Sequence, residues 1–299
     1  MDMRGICSRF GAEFLGGVSI APFTSFKIGG ICDIVKVNKV TTLLEILRFC
    51  KKESVPFRVL GRGSNVLISD KGLDGVVLLI GDAFGKITVD GEIITCQAGA
   101  KLSNICKTAA EHSLAGIEFA YGIPGSTGGA VYMNAGAYGG EMAHVIESCE
   151  YIDVASDDWI LKQIDVNQLN LSYRHSIFCD HDWVITKVKI RLEKGEESAI
   201  RARMADVSAK RCEKQPLEFP SAGSTFKRPD GYFAAKLIDD CGLRGKTVGG
   251  AAVSEKHAGF VINKGGATFD DVNRLIAFIQ KEVFDKTGIT LEREIEVWA

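Results

Sequence analysis

Residues 122 to 141 read GIPGSTGGAVYMNAGAYGGE, and seven of these twenty positions are glycine. Ordered glycine gives up more backbone freedom than any other residue, so this density in mid-chain calls for something approaching the backbone closely. A shorter run of the same kind, GRGSN at 61 to 65, follows the strand-like segment PFRVL. Loops that hold phosphate need small residues, because backbone N–H groups must reach the anion with no Cβ in the way. The two runs together read as two sides of a pyrophosphate cradle. Ser126 or Thr127 would cap a helix whose positive end faces it. Tight turns are the competing reading. Neither run is a standard nucleotide fingerprint. Val66 stands where G-x-G-x-x-G needs its third glycine, and Gly245-Lys246-Thr247 lacks the first glycine of a P-loop, which would fall at Asp240.

On the N-terminal side, DIVKV (33–37) alternates as a strand does. Next, TTLLEILRFCKKESVP reads as a helix, with Thr42 and Glu45 at capping-box spacing and Leu43, Ile46, Leu47 and Cys50 on one stripe. With PFRVL this makes a β-α-β unit. KITVDGEIITC reads as a hairpin about Asp90-Gly91, and LSNICKTAAEH as a helix. Beyond the glycine-rich run, VIESCEYIDV, WILKQ and DWVITKVKIRL are β-like and predict a largely antiparallel sheet. A long polar-faced helix, EESAIRARMADVSAKRCEK, leads into a proline-containing loop. After the loop come a helix at YFAAKLIDDC, a strand at GFVIN, a helix at FDDVNRLIAFIQKEVFDKT and a last strand at TLEREIEVW. Three lobes emerge, divided near residues 80 and 195.

With 299 residues and 25% charged side chains the chain has the balance of a globular protein, and its net charge of -2 gives no global pull toward nucleic acid or anionic membrane. No apolar run is long enough for a membrane span, and the N-terminus has no signal-peptide core, so a cytoplasmic protein is expected. The nine cysteines are an odd number without a C-x-x-C pair, which points to reduced, packing thiols. The histidines have no metal-ligand spacing, so no metal is expected.

The motifs GRGSNVLISD, GIPGSTGGAVYMNAGAYGGE, LSYRHSIF, PSAGSTFKRP and LEREIEVW, in this order, resemble those of the UDP-N-acetylenolpyruvoylglucosamine reductases. These are the FAD enzymes that complete UDP-N-acetylmuramate for peptidoglycan synthesis. The resemblance runs from TSFKIGG at 24–30 through Trp298. Fifty positions separate Arg174 from Ser224, as in the shorter form of the family, which lacks an inserted segment bearing a tyrosine. The resemblance implies an α+β chain of the vanillyl-alcohol-oxidase (PCMH-type) FAD-binding fold. Two α+β subdomains, 1–80 and 81–195, would hold FAD, and a C-terminal α/β domain, 196–299, would bind the substrate.

On this resemblance, Gly61, Arg62, Gly63, Ser64 and Asn65 form one side of the pyrophosphate site. Gly125, Ser126, Gly128 and Gly129 form the other, and the flavin lies against Asn134, Gly136 and Ala137. The implied reaction has two halves: hydride passes from NADPH to flavin, then to C3 of the enolpyruvyl group of UDP-N-acetylglucosamine enolpyruvate, with protonation at C2. An isolated enol ether accepts hydride poorly, so its carboxylate must be polarised by a cation or strong donors. Arg174 matches the arginine at this carboxylate, and a guanidinium suits it by fixed charge and two parallel donors. Ser224 matches the proton donor, and a hydroxyl so weakly acidic serves only a strongly basic intermediate. Glu294 matches the acid of the terminal motif and must be protonated to donate to a carboxylate. Burial beside a like charge would push its pKa up. Lys214, Lys227 and His257 are expected near the substrate.

Read without the family, each has an ordinary alternative: a packing arginine, a turn serine, and a solvated face shared by Glu292, Glu294 and Glu296. Two rival functions remain open at this point. One is another flavoprotein oxidoreductase of the same fold acting on a small alcohol or sugar. The other is a non-redox nucleotide-binding module. The family resemblance also implies a monomer.

Overall fold

The structure, a computed structural model, describes residues 2–299 and divides into two compact units. The first comprises the N-terminal residues through Gly16, Asp33–Arg62 and Gly75–Arg211. The second comprises Gly17–Cys32, Gly63–Asp74 and Cys212–Ala299.

In the first unit, helix α1 (Met3–Phe10) precedes α2 (Val40–Lys52), and α2 buries the predicted stripe of Leu43, Ile46, Leu47 and Cys50. Each such aliphatic side chain contributes about 1.5–3 kcal/mol by leaving water. The expected capping box is not formed. The helix begins earlier, after Lys39, and Thr42 lies inside it, donating its hydroxyl to the Phe10 carbonyl at 2.8 Å. The strands Ile31–Val37 and Phe57–Leu60 that flank α2 are not neighbours. Val76–Ile80 lies between them, parallel to both, with Val76 opposite Asp33 on one side and Phe57 on the other. Its unbroken apolar sequence is what a parallel strand covered on both faces requires.

The rest of the first unit is built on a five-stranded antiparallel sheet in the order Leu161–Asp165, Ile146–Asp153, Trp183–Arg191, Ile93–Gln97, Ile87–Asp90. Its last hairpin pairs Asp90 with Ile93, so Gly91 and Glu92 form the loop, and Gly91 supplies φ +60°. Helix α3 (Leu102–Glu111) and the short α4 (Thr127–Tyr132) complete this unit. Helix α5 (Glu197–Lys214) buries only Ile200, Met204 and Val207 and runs past Arg211.

In the second unit, α6 (Ala234–Asp240) and α7 (Phe269–Thr287) accompany a three-stranded sheet, Thr247–Val248, Ala251–Val253 and Val261–Asn263. Helix α7 opens on a capping box between Thr268 and Asp271 and closes on Gly288 at φ +72°. The predicted terminal strand is formed only at Glu296–Trp298, parallel to Val66–Ile68. Ahead of it Arg293 bridges Phe226. Leu291 and Ile295 are buried and Glu294 is half-buried, so the three glutamates do not share one solvated face. No described helix is long and apolar enough to cross a membrane.

Candidate active site

Within the first unit the two glycine runs meet. A Cβ added to Gly61 would stand 2.3 Å from the Ser126 hydroxyl oxygen, so Gly61 is the price of the close approach. Gly128 is crowded too, its virtual Cβ 2.9 Å from that of Ala98, and its amide donates to the Ala98 carbonyl at 2.8 Å. The Thr127 amide is likewise taken, by the Ala100 carbonyl at 2.9 Å. Gly125 and Gly129 differ. The nearest atom to a Cβ would be 3.4 Å away at Gly125 and 3.5 Å at Gly129, and neither has positive φ. Nothing in the chain itself demands glycine at these two positions. Small residues there fit an anion approaching from outside, and Ser126, the N-cap of α4, makes no side-chain capping bond that would compete for its hydroxyl.

Two cations stand at this cradle. The Arg62 guanidinium and the Lys101 ammonium both pair with Asp82, at 2.9 and 2.7 Å, and the Lys101 hydrogen bond holds the Asp82 carboxyl below its usual range. Lys101 bridges Ser126 through the backbone. Sequence reading missed it, because its proximity depends on a pairing between the start of α3 and the glycine run.

After α4 the chain turns back through a two-residue hairpin, with Gly136–Ala137 against Gly140–Glu141 and Tyr138 and Gly139 both at positive φ. Asn134 is fully buried at φ +42°. Its side-chain amide donates to the Ser172 carbonyl at 3.0 Å, and its Oδ1 accepts the Ala143 amide at 2.9 Å. The side chain is therefore committed to the protein, and it pins this segment to the Ser172–His175 turn. That turn presents Arg174 at φ +56°, a strained conformation for a side chain of this size. The Arg174 guanidinium lies 5.0 Å from the Tyr173 ring centroid and reaches the Gly136 carbonyl at 3.4 Å. A hollow of about 700 Å³ also opens in this unit, lined by Phe57, Arg58, Tyr132 and Trp183 among others, but by none of the predicted site residues.

The second unit gathers Ser224 and Glu294. The Glu294 amide donates to the Thr225 carbonyl at 2.9 Å, and the Lys227 amide donates to the Glu292 carbonyl at 2.9 Å, on either side of the Phe226–Arg293 bridge. Ser224 and Glu294 thus occupy neighbouring rungs. Asn65 ties the end of the first glycine run to the same ladder. Its side-chain amide donates to the Glu294 carbonyl at 3.1 Å, and its own carbonyl accepts the Glu296 amide at 2.9 Å. Gly63 is held by its own chain: at φ +60°, a Cβ would meet the Phe23 carbonyl oxygen at 2.4 Å. Ser64 is half-buried.

His257 accepts the Gly259 amide at Nδ1, 3.2 Å away, so its proton sits on Nε2. Burial pushes its pKa below the ordinary histidine value. Gly259 in turn accepts the Thr225 amide at 2.9 Å, which brings His257 into the Ser224 neighbourhood. The Lys227 ammonium pairs loosely with Glu292 at 3.5 Å. Lys214 is exposed at the end of α5 and makes no hydrogen bond or ion pair with these residues. No three acidic, histidine or cysteine side chains form a metal-holding group among the described residues.

Two family profiles match parts of the chain. Residues 33–159 match the profile of an FAD binding domain. Residues 215–298 match that of the UDP-N-acetylenolpyruvoylglucosamine reductase C-terminal domain. The UDP-N-acetylenolpyruvoylglucosamine reductase of Clostridium perfringens strain SM101 is 49% identical over 91% of this chain and 88% of its own. That of Caldanaerobacter subterraneus subsp. tengcongensis is 47% identical over 92% of this chain and 90% of its own. The crystal structure of the Thermus caldophilus enzyme superposes with a TM-score of 0.81 at 33% identity, covering 96% of this chain and 99% of that one. The fold is the α+β, vanillyl-alcohol-oxidase type of FAD-binding fold that the motifs implied. With a relative nearly half identical along nine-tenths of its length and both constituent domains matched, the chain belongs to the UDP-N-acetylenolpyruvoylglucosamine reductase family.

Proposed function

We propose that this protein is an FAD-dependent, NADPH-using reductase that converts UDP-N-acetylglucosamine enolpyruvate to UDP-N-acetylmuramate in peptidoglycan synthesis. Residues 1–80 and 81–195 act as the cofactor subdomains and 196–299 as the substrate domain. The observation that carries the reading is the Glu294–Thr225 backbone hydrogen bond, which sets Glu294 opposite the residue that follows Ser224. An oxidase of small alcohols has no need for a proton donor beside a second acid, whereas reduction of an enol ether does.

The cradle fits FAD: Gly125 and Gly129 leave the space a Cβ would fill, and Arg62 and Lys101 stand beside it as counter-charges. The Ser126 and Gly129 region would receive the pyrophosphate, with Gly61, Gly63 and Gly128 giving the loops their close packing. Ser64 and Asn65 continue the cradle, and Asn134, Gly136 and Ala137 form the backbone floor for the flavin. Bound FAD would supply the hydride relay between NADPH and C3 of the enolpyruvyl group.

The chain's own residues handle the charge and the proton. Arg174 holds the substrate carboxylate through its fixed charge and draws toward it the negative charge that develops at C2. Its strained backbone and its contact with the Gly136 carbonyl limit where the guanidinium can point. Glu294 is the second acid of the reaction and would donate a hydrogen bond to the substrate when it carries a proton. Ser224 delivers its proton to C2, and Lys227 favours the alkoxide left behind. Neutral His257, with its proton on Nε2, donates to the uridine diphosphate, and Lys214 is assigned to the substrate by the family pattern alone. The protein acts as a monomer in the cytoplasm. NADPH oxidation measured with and without UDP-N-acetylglucosamine enolpyruvate tests the proposal. Turnover that depends on this substrate is expected, and flavin reduction with no substrate-dependent reoxidation would overturn it.

A further inference from the structure

The TSFKIGG segment was part of the family pattern but has no part in the chemistry above. In the structure it lies at a junction within the second unit. The Ser25 amide donates to the Gly63 carbonyl at 2.9 Å, and its hydroxyl donates to the Ser221 carbonyl at 2.6 Å. The hydroxyl oxygen is also 3.2 Å from the Gly63 carbonyl. It has a single proton, and the shorter contact together with the amide already serving Gly63 assigns that proton to Ser221. One residue therefore holds the glycine run with its backbone and the Ser221 segment with its side chain.

Both ends of this connection are stiff. Thr24 accepts the Lys27 amide at 3.1 Å and donates to the Ala21 carbonyl at 3.1 Å, closing the turn around Ser25. Phe26 is buried in the core, and the Asn263 side chain holds its carbonyl at 3.2 Å. On the far side, Thr225 is fixed by its amide to the Gly259 carbonyl and by its hydroxyl, which accepts the Val261 amide at 2.9 Å. Between Ser221 and Thr225 stand Ala222, Gly223 and Ser224. Gly223 has φ +80° and no atom near the position of a Cβ, so it supplies the left-handed turn of the span. The placement of Ser224 then depends on Thr225 on one side and on Ser221 on the other, where the Ser25 hydroxyl acts together with the Ser221–Ile262 bridge and with the Asn263 amide, which donates to the Pro220 carbonyl at 2.8 Å.

We propose that Ser25 is a positioning residue that couples the cofactor loop at Gly63 to the segment presenting Ser224. The proposal rests on the reading of Ser224 as proton donor. Loss of the hydroxyl removes the Ser25 hold on Ser221 and leaves its bridge to Ile262 and the Gly63 anchor in place, so cofactor binding persists and the register of the proton donor loosens.

The test compares Ser25→Ala and Ser25→Thr as FAD-loaded protein. In Ser25→Ala, deuterium uptake of residues 220–225 should rise while α7 stays as in the wild type. FAD affinity and flavin reduction by NADPH should remain within about threefold, and reoxidation by UDP-N-acetylglucosamine enolpyruvate should slow by about tenfold or more. Ser25→Thr should restore both exchange and reoxidation. In a Ser224→Ala background, Ser25→Ala should add nothing, because the two act through one step. Unchanged exchange at 220–225, equal slowing of both half-reactions, or further slowing in the Ser224→Ala background would each overturn the proposal. If the wild-type protein is not reoxidised by this substrate, the functional reading fails. The exchange comparison then still decides whether Ser25 anchors the segment.

Discussion

Gly129→Val separates a glycine kept for a ligand from one kept for the fold. Gly129 is exposed at the third residue of α4, has ordinary φ, and would place a Cβ no closer than 3.5 Å to Ser126 Oγ. Valine in place of glycine in a helix changes stability by only a few tenths of a kcal/mol, in valine's favour. FAD-free variant and FAD-free wild type should therefore unfold within about 1 kcal/mol of each other. The branched methyl groups, however, stand where the pyrophosphate would approach the cradle. Loss of two hydrogen bonds to charged oxygen costs about 1.5–3 kcal/mol each, or about 3–6 kcal/mol together. That is about 10²- to 10⁴-fold in Kd. Calorimetric titration of FAD into the FAD-free proteins, with flavin-to-protein ratios of the purified forms, measures this directly. A Gly129→Val protein that stays fully flavinylated, with Kd within tenfold of wild type, would refute the cradle.

Gly63→Ala should do the reverse and destabilise the FAD-free protein by more than about 1–2 kcal/mol in chemical denaturation, because left-handed φ and the Phe23 carbonyl both oppose a Cβ. Ser224→Ala should leave flavin reduction by NADPH nearly intact and slow substrate-dependent reoxidation by about 10²–10⁴-fold in stopped-flow absorbance, and equal slowing of both halves would count against a proton donor. Asn134→Ala, which strands the Ala143 amide and the Ser172 carbonyl, should lose about 2–5 kcal/mol in the same denaturation assay. His257 has a folded pKa depressed by burial, so its contribution is complete above the unfolded value of 6.5 and is lost as pH falls through the lower folded value. His257→Gln should therefore lose less stability than wild type between pH 7.5 and acid conditions (about pH 5), and an unchanged acid limb would contradict this.

Local signals were legible in the sequence and non-local ones were not. The hairpin expected about Asp90-Gly91, which turns one residue later at Gly91-Glu92, and the apolar stripe of α2 needed only neighbours in the chain. Thr42 had the spacing of a cap but found a tertiary acceptor in Phe10, which no local pattern encodes. The insertion of Val76–Ile80 between the strands flanking α2 is likewise a property of sheet order, invisible to periodicity. At the candidate site, glycine density located the cradle without distinguishing its members. Gly63 and Gly128 are crowded by their own chain, whereas Gly125 and Gly129 are not, and only their surroundings in the fold separate the two kinds. Ser25 and Lys101 gave no signal as candidates, because their partners Ser221 and Ser126 are brought to them by the fold.

The proposed reaction is tested most directly by a single turnover: bound flavin is reduced anaerobically with one equivalent of NADPH and then mixed with UDP-N-acetylglucosamine enolpyruvate. Recovery of oxidised-flavin absorbance with formation of UDP-N-acetylmuramate is the predicted result. Flavin that is reduced by NADPH and stays reduced in the presence of this substrate would contradict it.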